Sequence, residues 1–305
     1  MTTRSHKPGE EDNNLAQPSN RRIVRLIYGP ETLQFGELYL PAGSGPFPVV
    51  MLIHGGFWRN PYGYTLMTGL AEDLARRGMA AWNIEYRRVG DAGGGWPSTL
   101  TDVARAADYM RAIAPNYALD WRRVVSVGHS AGGHLALWLA GRPRIAQDSI
   151  LAGSSLSRQT LRYAQGDMKG PAQHSQGQSD LPLPLVGAVS QAGVADLEMG
   201  WRLNLGSGAV AQLLGGSVKD VPERYAAASP AALLPLRVPQ VLIHGTEDDR
   251  VPYAMSETYT RAARAAGDQV TLIKLKGADH FALIDVNADA WAKTVEAVRK
   301  LLHLE

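Results

Sequence analysis

The chain has 305 residues, 45% of them hydrophobic and 20% charged, with a formal net charge of +2, a composition that suits a soluble globule with one sizeable α/β domain or two small ones. Its arginines are scattered or in short pairs such as Arg76-Arg77 and Arg122-Arg123, which gives no basis for a nucleic-acid partner. There is no cysteine, so disulfides, thiolate metal sites and a cysteine nucleophile are excluded.

Residues 1–21 are polar and proline-containing and read as a disordered tail rather than a signal peptide, because they hold no apolar core segment. No later apolar run is long enough to span a bilayer, and the expected compartment is the cytoplasm. Two early strands follow at Ile23–Tyr28 and Phe35–Leu40, expected as an antiparallel edge. Pro48–Ile53 is a continuous apolar run suited to a buried strand. Leu66–Arg77 has helical spacing and stops at Gly78, and Met79–Ile84 is another buried strand. Ser98 is expected to cap a helix that ends near Ala114, before Pro115. Val124–Val127 reads as a strand and leads into a helix ending near Gly141. Leu185–Gln191, Val238–Ile243 and Val270–Leu275 read as strands, and Tyr253–Ala266 and Ala288–Leu302 as helices. Such alternation predicts a mainly parallel sheet covered on both faces. Two segments break it. Residues 143–184, rich in Gln, Ser and Gly, read as a flexible surface insertion, and residues 197–228 as a small, partly helical cap.

The chemistry lies at Gly128-His129-Ser130-Ala131-Gly132. A β-branched run, then G-x-S-x-G, then a helix is the arrangement that presents a nucleophilic serine on a sharp, strained turn. A serine nucleophile needs a base within hydrogen-bond reach, and the base needs an orienting carboxylate. Of the eight histidines, His6 lies in the tail, His174 in the insertion and His303 at the terminal helix. His129 is inside the turn, His134 is expected to pack on the helix, and His54 and His244 each end a strand and are expected to hold loop backbone. His280 remains, in a loop after the last strand. The acid is expected between Ser130 and His280 in chain order. Asp248 and Asp249 compete for that role, with Asp196 a third candidate.

Acyl transfer also needs backbone amides around the developing oxyanion. The expected donors are Ala131, after the nucleophile, and Gly56 and Phe57 in the glycine-containing loop His54-Gly55-Gly56-Phe57-Trp58-Arg59. Trp58 and Trp96 either wall a small substrate pocket or simply pack. No H-E-x-x-H, no P-loop sequence and no G-x-G-x-x-G after a strand occurs, so neither metal nor other cofactor is expected.

These motifs resemble the α/β-hydrolases, and within them the esterase/lipase branch that carries H-G-G and G-x-S-A-G-G. His54-Gly55-Gly56-Phe57-Trp58 is similar to the loop of kynurenine formamidases and of bacterial feruloyl-esterase-like (BD-FAE) hydrolases. His244-Gly245-Thr246-Glu247-Asp248 matches that group's H-G-x-x-D acid motif, which selects Asp248, and His280 matches its late histidine. The chain departs from the hormone-sensitive-lipase pattern at Phe57, where a third glycine is usual, and at His129, where aspartate is usual. The resemblance implies one α/β-hydrolase domain over residues 22–305 with a sheet of about eight strands. It also implies a Ser130–His280–Asp248 serine hydrolase acting on small carboxylic esters. An arylformamidase acting on aryl amides such as N-formylkynurenine is the second expectation, and a catalytically inactive hydrolase fold used as a binding module is the third.

Overall fold

Short apolar runs form the sheet, and the computed structural model describes residues 22–145 and 181–304. The expected tail at 1–21 and most of the expected insertion at 143–184 lie outside the described residues. The strands are β1 (Arg22–Ile27), β2 (Phe35–Leu40), β3 (Phe47–Ile53), β4 (Ala80–Ile84), β5 (Leu119–His129), β6 (Gly187–Gln191), β7 (Gln240–Gly245) and β8 (Val270–Leu275). They form one eight-stranded sheet in the order β1-β2-β4-β3-β5-β6-β7-β8. β2 pairs antiparallel with both β1 and β4, and every other pairing is parallel. The helices are α1 (Thr68–Arg76), α2 (Ser98–Tyr117), α3 (Ala131–Gly141), α4 (Leu197–Arg202), α5 (Ala209–Leu214), α6 (Pro222–Ala228), α7 (Tyr253–Ala265) and α8 (Asp289–Leu301).

Alternate residues of the central strands point to opposite faces. Val49, Met51, Ile53 and Val124 join the core built with α2, α3 and α7, while Val50, Leu52, Val125 and Val127 join the one built with α1 and α8. Burial on both faces is why these strands read as unbroken apolar runs.

Several boundaries shift from the sequence reading by one or two residues, and three departures have a physical reason. β5 begins at Leu119 rather than Val124, because Leu119 and Asp120 pair with Phe47 and Pro48 before a register shift brings Val124 opposite Val49. Backbone pairing recruits this polar stretch whatever its propensity. α2 runs through Pro115 to Tyr117 and stops at Ala118, whose φ of 49° is left-handed and whose amide bonds Ala114 O. One missing N–H near a helix end is a small loss beside the packing of a long buried face. Ser98 lies inside that helix, whose cap position is Pro97. Thr99 Oγ1 instead accepts from the Gly95 amide at 3.2 Å.

Candidate active site

Parallel strands deliver their carboxyl ends to one edge of the sheet, where the connecting loops converge. Ser130 stands between β5 and α3 with φ 56° and ψ −119°, outside the conformations a side chain favours. Its amide donates to Gln191 O at 2.7 Å and its carbonyl accepts from His134 N at 3.1 Å, so the strained turn is fixed from both sides. Ser130 is the cap residue of α3, yet its hydroxyl makes no capping bond. The motif glycines are steric requirements. A Cβ on Gly128 would lie 2.0 Å from Gly132 O, and one on Gly132 would lie 2.0 Å from Ile53 O. Both contacts are with backbone, which cannot step aside.

His280 follows β8 in a loop held by Asp279, whose carboxylate accepts from the Phe281 and Ala282 amides at 3.0 and 2.8 Å. His280 Nδ1 lies 2.6 Å from Asp248 Oδ2, and the Asp248 side chain is wholly buried. Asp248 Oδ1 accepts from the amides of Arg250 and Val251 at 2.9 and 2.8 Å. Burial pushes the Asp248 carboxyl up, but the bonds from His244, His280 and the Val251 amide outweigh it and hold the group well below the usual carboxylate range. Asp249 points outward, 72% exposed, and pairs with Arg250 at 3.3 Å. Asp196 caps α4 by accepting from Met199 N at 3.0 Å.

Ser130 and His280 are brought into adjacent loops through His129, whose ring lies 4.5 Å from that of His280. His129 Nε2 donates to the His280 carbonyl at 2.9 Å. No hydrogen bond joins Ser130 Oγ to His280 among the described residues. Burial, and then the neighbouring His280, pulls His129 down to about 3, so it stays neutral.

The loop after β3 carries three successive left-handed residues, Gly56, Phe57 and Trp58, at φ 108°, 51° and 55°. A Cβ on Gly55 would lie 3.0 Å from Ser130 Cβ, so this loop passes directly beside the serine. The amides of Gly56, Phe57 and Ala131 donate no hydrogen bond among the described residues. Three unpaired N–H groups beside a serine can receive negative charge on an oxygen bound there. His54 supports the loop from below: Nδ1 lies 2.8 Å from Gly55 O and Nε2 lies 2.9 Å from the buried Glu85 carboxylate. Glu85 is a partner that the sequence reading did not supply. From above, Arg59 Nε bonds Gln212 Oε1 at 2.9 Å and its Nη2 bonds Ser207 O at 3.3 Å, and the Phe57 ring lies against Gly206. Residues 197–228 thus hold three short helices, of which α5 and the turn before it rest on the loop.

Of the two alternatives open to the tryptophans in the sequence, Trp58 takes the packing one. Trp58 is fully buried and its Nε1 donates to His134 Nδ1 at 3.2 Å. It therefore packs the loop onto α3. Trp96 is half-buried against the core, its amide bonded to Leu213 O at 2.8 Å. The aromatics that reach solvent beside the site are Tyr62 and Phe281, 45% and 50% exposed. Tyr62 packs on Gly56 and Phe281 follows His280. Sequence reading missed both, since an exposed aromatic on a loop carries no periodic signal.

His244 also touches the site. It ends β7, its side chain fully buried, with Nε2 3.2 Å from Asp248 Oδ2. The four-residue spacing across the turn at Gly245 was the available signal, and the sequence reading gave this histidine only a loop-holding role.

The chain is similar to known proteins over most of its described length. The curated relatives include Esterase LipC of Mycobacterium tuberculosis, 26% identical over 87% of this chain and 62% of LipC. A probable isoprenylcysteine alpha-carbonyl methylesterase of Oryza sativa is 25% identical over 94% of this chain and 65% of its own length. The chain thus spans roughly three fifths of the curated relatives it matches. Among solved structures, a truncated carbohydrate esterase from gut microbiota aligns with a TM-score of 0.70 at 20% identity, covering 92% of this chain and 95% of the other. Thermogutta terrifontis esterase 2 phosphorylated by paraoxon aligns with a TM-score of 0.65 at 21% identity, covering 92% and 93%. The likeness to both shows the α/β-hydrolase fold. With the BD-FAE family matching residues 37–262, about three quarters of the sequence, this α/β-hydrolase chain belongs to the BD-FAE family.

Proposed function

We propose that the chain is a serine hydrolase that cleaves small carboxylic esters through an acyl-enzyme. The observation that carries the reading is the 2.6 Å contact between buried Asp248 and His280 Nδ1, in a loop held against the strained turn that presents Ser130. The esterase names of the curated relatives support the same class. Ser130 Oγ attacks the ester carbonyl carbon while His280 Nε2 takes the hydroxyl proton. Asp248 holds the Nδ1–H and stabilises the imidazolium that forms. The amides of Gly56, Phe57 and Ala131 stabilise the oxyanion. The tetrahedral intermediate collapses, His280 returns its proton to the departing alkoxide, and Ser130 is left acylated. Water then attacks the acyl carbon with His280 again as base, releasing the carboxylic acid and restoring the hydroxyl.

Turnover of p-nitrophenyl acetate should show a burst of p-nitrophenolate, and activity should fall as the acyl chain lengthens from acetate to butyrate to decanoate. Ser130→Ala and His280→Ala should each reduce kcat by about 10⁴-fold or more. Paraoxon should add one diethylphosphoryl group to Ser130, expelling p-nitrophenolate. A folded protein that is neither labelled nor active would overturn the reading in favour of a binding module. The ester assignment is tested against a formamidase by the ratio of kcat/KM for N-formylkynurenine to that for p-nitrophenyl acetate. A ratio far above one overturns it.

A further inference from the structure

Asp248 receives two imidazoles on one oxygen. Oδ2 lies 2.6 Å from His280 Nδ1 and 3.2 Å from His244 Nε2. His244 Nε2 also lies 2.9 Å from Val251 O, and its Nδ1 lies 2.7 Å from the hydroxyl of Ser256, which is buried on α7. Chemistry fixes the tautomer. Nε2 faces two acceptors, a carbonyl and a carboxylate, so it must carry the hydrogen. Ser256 can either donate or accept, so it donates to Nδ1. The neutral Nε2–H form bonds Val251 O with its one hydrogen and keeps the same polarised nitrogen 3.2 Å from Asp248 Oδ2, without a charge. Two donor paths thus converge on Asp248, Ser256 through His244 on one side and His280 on the other. The other neighbours of these groups are Tyr253 on α7, edge-on to His244 at 5.7 Å and covered by Lys274 of β8, and His129, which packs on His280.

We propose that His244 is a positioning residue, which orients the Asp248 carboxylate and, through it, sets how strongly His280 holds a proton. This rests on the proposed roles of Asp248 and His280. His244 touches no reacting atom. Backbone amides hold Oδ1, and His244 is the second hold on Oδ2, without which the carboxylate pivots about its Oδ1 contacts. A polarised N–H beside Oδ2 also draws negative charge away from the oxygen that His280 uses. Removing it leaves a more basic carboxylate, a more stable His280 imidazolium, and a base that is silenced at higher pH.

Two substitutions separate this from a role in holding α7. In His244→Asn the amide stands where Nδ1 stood, so the Ser256 bond remains within reach and Asp248 does not. In His244→Gln the amide reaches the place of Nε2 and keeps Asp248 while losing Ser256. The readout is the pH dependence of kcat/KM for p-nitrophenyl acetate on the full chain, with kcat and KM resolved separately. The acidic limb of His244→Asn should move up by about one pH unit, with kcat about tenfold lower and KM little changed. His244→Gln should keep the wild-type limb. The reverse pattern, or unmoved limbs in both, overturns the proposal. If one variant does not fold, the limb of the other decides alone: a wild-type limb in Asn, or a displaced one in Gln, rejects it. The parent reading is judged separately. If Ser130→Ala and Asp248→Asn leave wild-type turnover, that reading fails. If they abolish turnover while His244→Asn keeps its limb, only the positioning role fails.

Discussion

Two adjacent aspartates have opposite surroundings, and the difference is a matter of solvent and donors. Asp248 is buried with four N–H groups around its two oxygens, whereas Asp249 faces water beside Arg250. If Asp248 fixes the tautomer of His280, Asp248→Asn should lower kcat by about 10⁴ while Asp249→Asn stays near wild type. A damaging Asp249→Asn beside a mild Asp248→Asn would reverse the assignment. The residues alone left the choice open, because successive loop side chains point different ways and only the fold says which way is inward. The match to H-G-x-x-D selected the residue that the structure places against His280. The buried histidines bear on acid stability. Burial pulls His134 from 6.5 down to about 4, and burial followed by His280 pulls His129 down to about 3. Both take up a proton on unfolding before they would in the fold, so stability falls as pH falls below 6.5, at about 1.4 kcal/mol per pH unit for each. The depressed Asp248 adds a further loss below its unfolded value of 3.8. Denaturant midpoints measured from neutral pH downward should show this slope, reduced by one histidine's share in His134→Gln.

Among the elements, the strand–turn–helix around Ser130 was the most legible in the sequence, because its glycines answer to backbone contacts that no other residue can meet. Gly132→Ala places a methyl group 2.0 Å from Ile53 O. It should destabilise the fold by at least about 1–3 kcal/mol, read as a drop in denaturation midpoint, and displace the loop after β3. The start of β5 and the end of α2 were not legible, for one shared reason. Asp120 to Arg123 is too polar to announce a strand and Pro115 ordinarily ends a helix, yet pairing with β3 and packing on the core override both local signals. The loop after β3 shows the opposite limit. Its glycines were visible, but its supports, Glu85 beneath His54 and Gln212 beside Arg59, are distant in sequence and carry no motif. Arg59→Ala removes both of its bonds to residues 197–228. It should lower kcat/KM for p-nitrophenyl acetate severalfold with little change in melting temperature, since an exposed side-chain pairing adds little stability.

At the scale of the molecule, alternation of apolar runs was enough to give eight strands and helices on both faces, while strand order came only from the pairing itself. That order gathers Ser130, Asp248 and His280 at one edge, and the site is therefore formed by the whole sheet rather than by any segment. Backbone strain is present there too, with Phe57, Trp58 and Ser130 all at positive φ. Each such residue costs on the order of 1–3 kcal/mol, sustained by the two cores on either side of the sheet. Glycine occupies this region without a Cβ penalty, so Ser130→Gly should melt above Ser130→Ala although both lack the hydroxyl. Heat resistance and chemistry are thus opposed at this one position. A library randomised at residue 130 and screened for survival at high temperature, with no demand for turnover, is expected to enrich glycine and discard serine.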